Sequence, residues 1–200
     1  MTPILYSFRR CPYAMRARLA VAASGVQVDL REILLRDKPD AFLAASPSAT
    51  VPCLVTDQGV IDESLDVMLW ALRQHDPEDW LEMPAAGWGW IERGDGPFKR
   101  ALDRVKYASR HPAPSVEEAR AEAVQFFEDL EATLGDWIFE RPSLADYALL
   151  PFVRQFAFVD KPWFDAQRWP RVQGWLARFL ASERFNAVMA KQPVWAASAP

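Results

Sequence analysis

A cysteine stands between a strand-like and a helix-like segment in Tyr6-Ser7-Phe8-Arg9-Arg10-Cys11-Pro12-Tyr13. Pro12 suits a first helical turn, where its missing N–H is no loss. Cys11 then falls at the N-cap, where unpaired backbone N–H groups and the positive end of the dipole stabilise a thiolate. Arg9, Arg10 and Arg16 add positive field if they point inward. A thiolate so placed is a nucleophile. The alternative is a buried, inert thiol. A redox dithiol would carry a second cysteine three positions on, but Ala14 stands there. A mixed disulfide at Cys11 would therefore need an external thiol to release it.

Three further pairs bear on binding. Val51-Pro52 opens a strand with a residue that cannot donate to the ladder. A cis bond would turn the Val51 backbone toward a neighbour, and an ordinary trans edge proline is the alternative. Glu63-Ser64 opens a helix; its N–H groups suit a carboxylate and Glu63 suits an ammonium, or the pair is a plain cap. Ser143-Leu144-Ala145-Asp146 reads as a capping box, a folding determinant rather than a site. Most Trp and Phe residues read as core, with Trp88 and Trp90 candidates to line a pocket for an apolar ligand. His75 and His111 are too far apart to suggest a metal site, and no metal is expected.

The elements that must position these residues change character along the chain. Strands are expected at Ile4–Phe8, Val26–Leu30, Val51–Thr56 and Val60-Ile61. Helical spacing runs from Tyr13 to a stop at Gly25, and again over Asp62–Gln74 with Leu65, Met68, Leu69 and Leu72 on one face. Asp37–Ala45 reads as a loop and short helix. Asp76–Pro84, with two prolines and four acids, reads as a linker. Strand signals end there. Helices are expected over Gly87–Ser109 with an interruption at Gly94–Pro97, then Ser115–Leu134, Ser143–Val159, Trp169–Leu180 and Glu183–Ala190. The plan is a small α/β domain over 1–76, a linker over 77–86, and an all-α domain over 87–200.

Composition agrees with an ordinary folded chain. Of 200 residues, 50% are hydrophobic and 25% charged, which excludes a disordered tail and a disulfide scaffold. The net charge of −4 is spread over both parts, so nucleic acid is not the expected partner. No long apolar run or secretory leader is visible, and a reducing cytoplasm is the expected compartment for Cys11 and Cys53. Cys53, in a buried strand, is expected to be inert.

Taken together, Cys11-Pro12-Tyr13, Val51-Pro52, Glu63-Ser64 and the Ser143–Asp146 box, in this order and spacing, resemble the glutathione transferase superfamily. Cys11-Pro12-Tyr13-Ala14 with Arg16, Arg18 and Lys38-Pro39 is most similar to the omega class and its glutaredoxin-like relatives. The second domain is shorter than in omega chains. The resemblance implies a thioredoxin-like N-terminal domain that binds glutathione, and an all-α C-terminal domain with a second-substrate pocket. It implies thiol transfer or deglutathionylation through a mixed disulfide of Cys11 with glutathione. Val51 and a cis Pro52 would meet the cysteinyl backbone of glutathione, and Glu63 and Ser64 its γ-glutamyl end. Lys38 would meet the glycyl carboxylate, and Tyr13 would pack beside the thiol. A homodimer is implied as well. Other members of the superfamily use Tyr or Ser near the end of the first strand to conjugate glutathione to electrophiles, a role open to Tyr6 or Ser7. Others have lost catalysis and act as binding or regulatory proteins.

Overall fold

A computed structural model describes residues 1–110 and 112–196 and divides the chain into two compact units. The first unit holds Met1–Glu78 together with the segment from Ser182, and the second holds Asp79–Ala181.

In the first unit, β1 (Ile4–Ser7), β2 (Asp29–Glu32), β3 (Cys53–Thr56) and β4 (Gly59–Ile61) form one sheet in the order β2-β1-β3-β4. β1 runs parallel to β2, so a crossover must join them, and α1 (Pro12–Ser24) is that crossover. The β1–β3 and β3–β4 pairs are antiparallel, with Tyr6 opposite Cys53. Alanines 14, 17, 20 and 23 let α1 pack closely, and Gly25 ends it in the left-handed region at φ 71°. α2 (Asp40–Ala45) and α3 (Ser64–Gln74) follow. His75, just past α3, donates from Nδ1 to the carbonyl of Ser24 at 2.9 Å, tying the ends of α1 and α3 together.

β1 ends at Ser7, one residue short of expectation, and β3 begins at Cys53, so Val51-Pro52 precedes the strand it was expected to open; two other differences are larger. The second strand spans Asp29–Glu32 rather than Val26–Leu30. Val26–Val28 alternate like a strand but precede the ladder, which opens at Ile4 opposite Asp29. They line an apolar cavity of about 270 Å³ instead. The final helix, α10 (Glu183–Val188), expected in the second domain, packs on α1 in the first unit. Beyond it, Val194 bridges to Glu32 and Trp195 donates to the Glu32 carbonyl at 2.7 Å. The free edge of β2 draws this segment in, because an edge strand carries unpaired backbone groups that a following segment can satisfy.

The second unit is helical: α4 (Ala86–Arg93), α5 (Lys99–Lys106), α6 (Ala113–Thr133), α7 (Leu144–Ala157), α8 (Lys161–Asp165) and α9 (Pro170–Ala181). The expected interruption at Gly94–Pro97 is a π-helical turn over Gly94–Phe98 that continues the helix from α4 into α5. Pro97 cannot donate, which favours a widened turn. Gly94 allows close approach: a Cβ there would lie 2.1 Å from Cδ2 of buried Leu149. The expected linker also enters this unit early. Trp80 is fully buried, stacks on Tyr147 at 3.9 Å, and accepts the Leu144 N–H at 2.9 Å. α8 carries no helical periodicity long enough to read, and its Asp160 cap over the Trp163 N–H is its local signal.

The capping box at α7 forms as expected. Asp146 is fully buried and accepts from the Ser143 N–H at 2.9 Å, Ser143 Oγ at 2.8 Å, the Ile138 N–H at 3.0 Å and Trp175 Nε1 at 3.1 Å. Burial pushes its carboxyl above the ordinary range, and the four donors work against that shift. Phe98, Phe126, Phe127, Phe156, Phe164 and Trp169 form a continuous aromatic core, with Phe98 and Phe126 stacked at 4.2 Å.

Candidate functional site

Cys11 is the N-cap of α1, and its carbonyl accepts the first helical bond from the Met15 N–H at 2.8 Å. Its own N–H closes a turn onto the Phe8 carbonyl at 3.0 Å. The side chain is half-buried, with Sγ 3.7 Å from the Val51 carbonyl. Its thiol sits where a helix start, a turn and β3's approach meet.

The structure brings Cys11, Tyr13, Lys38, Val51, Pro52, Glu63 and Ser64 to the wall of one cleft of about 400 Å³, all within the first unit. The Val51–Pro52 bond is cis. Glu63 is the N-cap of α3 and is exposed at the rim, while Ser64, the first residue of the helix, is buried. Ser64 Oγ accepts from Arg16 Nε at 3.0 Å. That bond leaves the Ser64 hydroxyl proton free to donate and places a guanidinium behind the helix start. Arg16 also lies over the Tyr13 ring at 5.5 Å. A helix N-terminus, a hydroxyl and a lysine suit carboxylates, and Glu63 suits an ammonium. The walls therefore suit a ligand that carries both kinds of charge, with the Cys11 thiol on the same cleft.

Four lining residues escaped sequence reasoning: Leu35, Ala49, Thr50 and Asp62. Asp62 accepts from Ser46 Oγ at 2.9 Å and from the Ser48 N–H at 2.8 Å, so it braces the loop that leads to Val51. Its adjacency to Glu63 was the available signal. Tyr6 and Ser7, in contrast, are not among the lining residues. Tyr6 is buried, and its hydroxyl accepts from Arg31 Nη1 at 3.1 Å. Ser7 is buried, and its Oγ accepts from Arg18 Nη1 at 2.5 Å.

The two thiols differ sharply. Cys53 is fully buried, and burial, reinforced by nearby Asp62, pushes its thiol up to about 11. Both cysteines are free. With iodoacetamide at neutral pH, peptide mapping of the folded protein is expected to find alkylation at Cys11 and none at Cys53. Equal labelling of both would contradict that difference.

Trp90 is buried and meets Phe126 edge-on at 5.8 Å, whereas Trp88 is exposed. His75 serves the helix ends described above, and His111 lies outside the described residues.

Comparison with known proteins agrees with this geometry. The glutathione S-transferase N-terminal domain family matches residues 5–79, and the glutathione S-transferase C-terminal domain family matches residues 113–178. A probable glutathione transferase of Aplysia californica is 46% identical over 57 residues, covering 28% of this chain and 62% of that protein. Glutathione S-transferase omega-1 of Sus scrofa is 40% identical over 55 residues, 28% of this chain and 23% of the relative. The aligned parts thus span less than two thirds of these two relatives. Glutathione S-transferase omega-1 of Mus musculus is 23% identical over 193 residues, covering 86% of this chain and 74% of the relative. Among solved structures, glutathione transferase Omega 3C from Trametes versicolor superimposes with a TM-score of 0.82 at 19% identity, covering 98% of this chain and 92% of the other. A glutathione transferase family member from Pseudomonas fluorescens Pf-5, with two glutathione bound, gives 0.81 at 19% identity, covering 94% and 92%. With a four-stranded mixed sheet followed by an all-helical part, and with both domain families matched in order, the chain belongs to the glutathione transferase superfamily as an omega-like member.

Proposed function

We propose that this protein is a glutathione-dependent thiol transferase of the cysteine type. The observation that carries the reading is Cys11 at a helix N-cap, lining the same cleft as Val51, Pro52, Glu63 and Ser64. Glutathione is the cosubstrate. Its cysteinyl backbone pairs with Val51, its γ-glutamyl end with Glu63 and the Ser64 helix start, and its glycyl carboxylate with Lys38. Tyr13 packs beside the reacting sulfurs. The Cys11 thiolate attacks the glutathionyl sulfur of a mixed disulfide, forming a Cys11–glutathione disulfide and expelling the other thiolate, which takes a proton from solvent. A second glutathione, as its thiolate, attacks the glutathionyl sulfur and leaves as glutathione disulfide, returning the Cys11 thiolate. The net exchange is one mixed disulfide and one glutathione for one thiol and one glutathione disulfide. The second substrate is a small apolar or disulfide compound taken up by the helical domain over 87–200. The working form is a homodimer in a reducing cytoplasm, where reduced glutathione is abundant.

Intact-mass spectrometry after incubation with glutathione disulfide tests the reading. A single adduct of about 305 Da, glutathione less the two hydrogens lost on forming the disulfide, is expected on the parent and absent from Cys11→Ser. No adduct, or one that survives the substitution, would overturn it. A second check concerns binding alone. Glu63→Gln is expected to raise KM for glutathione roughly tenfold with kcat little changed, the signature of a lost ground-state ion pair.

A further inference from the structure

Cys11 follows a short turn whose internal backbone bonding is slight: the Cys11 N–H on the Phe8 carbonyl. Outside the turn, the Ser7 carbonyl accepts the Ile33 N–H at 2.9 Å and Arg9 Nη1 donates to the Met189 carbonyl at 3.3 Å, and two buried charged side chains add the remaining bonds. Arg18, on the second turn of α1, donates Nη1 to Ser7 Oγ at 2.5 Å and to the Phe8 carbonyl at 3.5 Å. Its Nη2 donates to the Arg9 carbonyl at 2.8 Å, and its Nε to the Val188 carbonyl at 3.1 Å. Glu32, the last residue of β2, accepts the Arg9 N–H at 2.7 Å. Ser7, Phe8 and Arg9, close before the cysteine in sequence, are thereby held by one guanidinium and one carboxylate.

Such burial asks for a reason. Arg18 is 6% exposed and Glu32 is 9% exposed. Leu5, Val21, Val28, Leu30 and Val188 line the apolar cavity on which both also border. Buried charges give little net stability, and apolar residues of similar volume commonly do as well or better. The bonds made here are specific in what they hold. Apart from the Val188 carbonyl, each ends on the segment that leads into the nucleophile. A guanidinium offers five donors in a planar fork, and a lysine cannot reproduce that set.

We propose that Arg18 and Glu32 are positioning residues for Cys11, clamping the Ser7–Arg9 segment so that the sulfur is presented at the mouth of the cleft in one geometry. The electrostatics lean the same way. Burial lowers Arg18 to about 10, while Glu32 and the Cys11 sulfur both favour its charged form and Arg9 opposes it. The other charged groups around the Cys11 cleft are Lys38, Asp62 and Glu63 on its walls and Arg16 behind Ser64. Asp62 instead braces the loop before Val51, and Arg16 donates to Ser64 Oγ.

The inference deepens the thiol-transferase reading and rests on it only for naming Cys11 as the working group. Its test therefore uses chemistry that needs no glutathione. Second-order alkylation of Cys11 by iodoacetamide is followed across pH on the folded parent, Arg18→Lys, Glu32→Ala and Glu32→Gln, with each variant's fold checked by circular dichroism. S-methylglutathione binding is measured alongside. Arg18→Lys and Glu32→Ala are expected to slow alkylation per folded molecule by roughly 10–100-fold across the pH range, as displaced reacting groups do. S-methylglutathione should bind within about twofold of the parent, because its contacts are elsewhere in the cleft. Glu32→Gln, which keeps an oxygen for the Arg9 N–H, should recover part of the lost rate. An alkylation rate unchanged in Arg18→Lys and Glu32→Ala would overturn the proposal. If Arg18→Lys does not fold, Ser7→Ala, which removes one bond to Arg18, and the two Glu32 variants decide on the same criteria. Slowed alkylation in the variants, with a parent that forms no glutathione adduct, would leave the clamp standing and remove the transferase reading. The converse result would remove the clamp alone.

Discussion

Cys11→Ala is expected to lose thiol transfer by on the order of 10³-fold or more, because the step that forms the mixed disulfide has no other nucleophile. Steady-state turnover of a glutathione mixed disulfide of a small thiol is the measurement, with glutathione disulfide as the product read. The loss should fall on kcat. Binding of S-methylglutathione should survive, since Lys38, Val51, Glu63 and Ser64 line the cleft with groups that Cys11→Ala leaves in place. Tyr6 and Ser7 offer no rescue: their hydroxyls are engaged by Arg31 and Arg18 and neither lines the cleft. Cys53 offers none either, as a fully buried thiol pushed up to about 11. The same variant separates the competing chemistry. Conjugation of glutathione to an electrophile, if Tyr6 or Ser7 supported it, would persist or rise in Cys11→Ala. Thiol transfer that persists in Cys11→Ala would sink the cysteine mechanism.

The largest effect on stability is expected at Asp146. Removing its carboxylate strands the Ser143 N–H, the Ser143 hydroxyl, the Ile138 N–H and the Trp175 indole N–H in a dry interior. Asp146→Ala should cost about 3–5 kcal/mol, the range for breaking a buried, charged hydrogen-bond centre. At roughly 2–4 °C per kcal/mol for a chain of this size, the melting temperature should fall by on the order of 10 °C. Asp146→Asn should fall between, because its carbonyl oxygen still accepts while its amide meets other donors. Differential scanning calorimetry on the three proteins reads the order directly. A shift within about a degree for Asp146→Ala would mean that the capping box is not what holds the start of α7.

Local signals were legible where a residue's own chemistry restricts its backbone. Pro12 after Cys11 marks a helix start, Gly25 marks a helix end, and Ser143 with Asp146 marks a capping box; each appears where it was expected. The same holds for the change from an α/β part to a helical part, since strand alternation ends before residue 77. Signals failed where a partner decides. Val26–Val28 have the alternation of a strand and lie outside the sheet, because β1 has no residue left to pair with them. Trp80 sits in a stretch with the composition of a linker, yet stacking on Tyr147 draws it into a core. A Pro-containing interruption became a π-helical turn, because Gly94 admits Leu149 and keeps the axis continuous.

The site divides along the same line. Residue chemistry by itself marks Cys11, a thiol at a helix start, whereas Val51-Pro52 and Glu63-Ser64 each also read as plain backbone features and Lys38 enters only through the family resemblance. Their convergence on one cleft is tertiary, since α1, the strand β3 and α3 are brought together only by the sheet. So is the support beneath Cys11. Arg18 enters the sequence reading only through the family resemblance, Glu32 lies beyond the strand expected over Val26–Leu30, and residues from 182 onward read as part of the helical domain. Only the fold buries the first two against Ser7–Arg9 and lays the last segment along β2. Sequence alone carries what a side chain can do and what its immediate backbone allows. Which distant groups complete it depends on burial and pairing, energies that belong to the whole packed chain and to no single stretch of it.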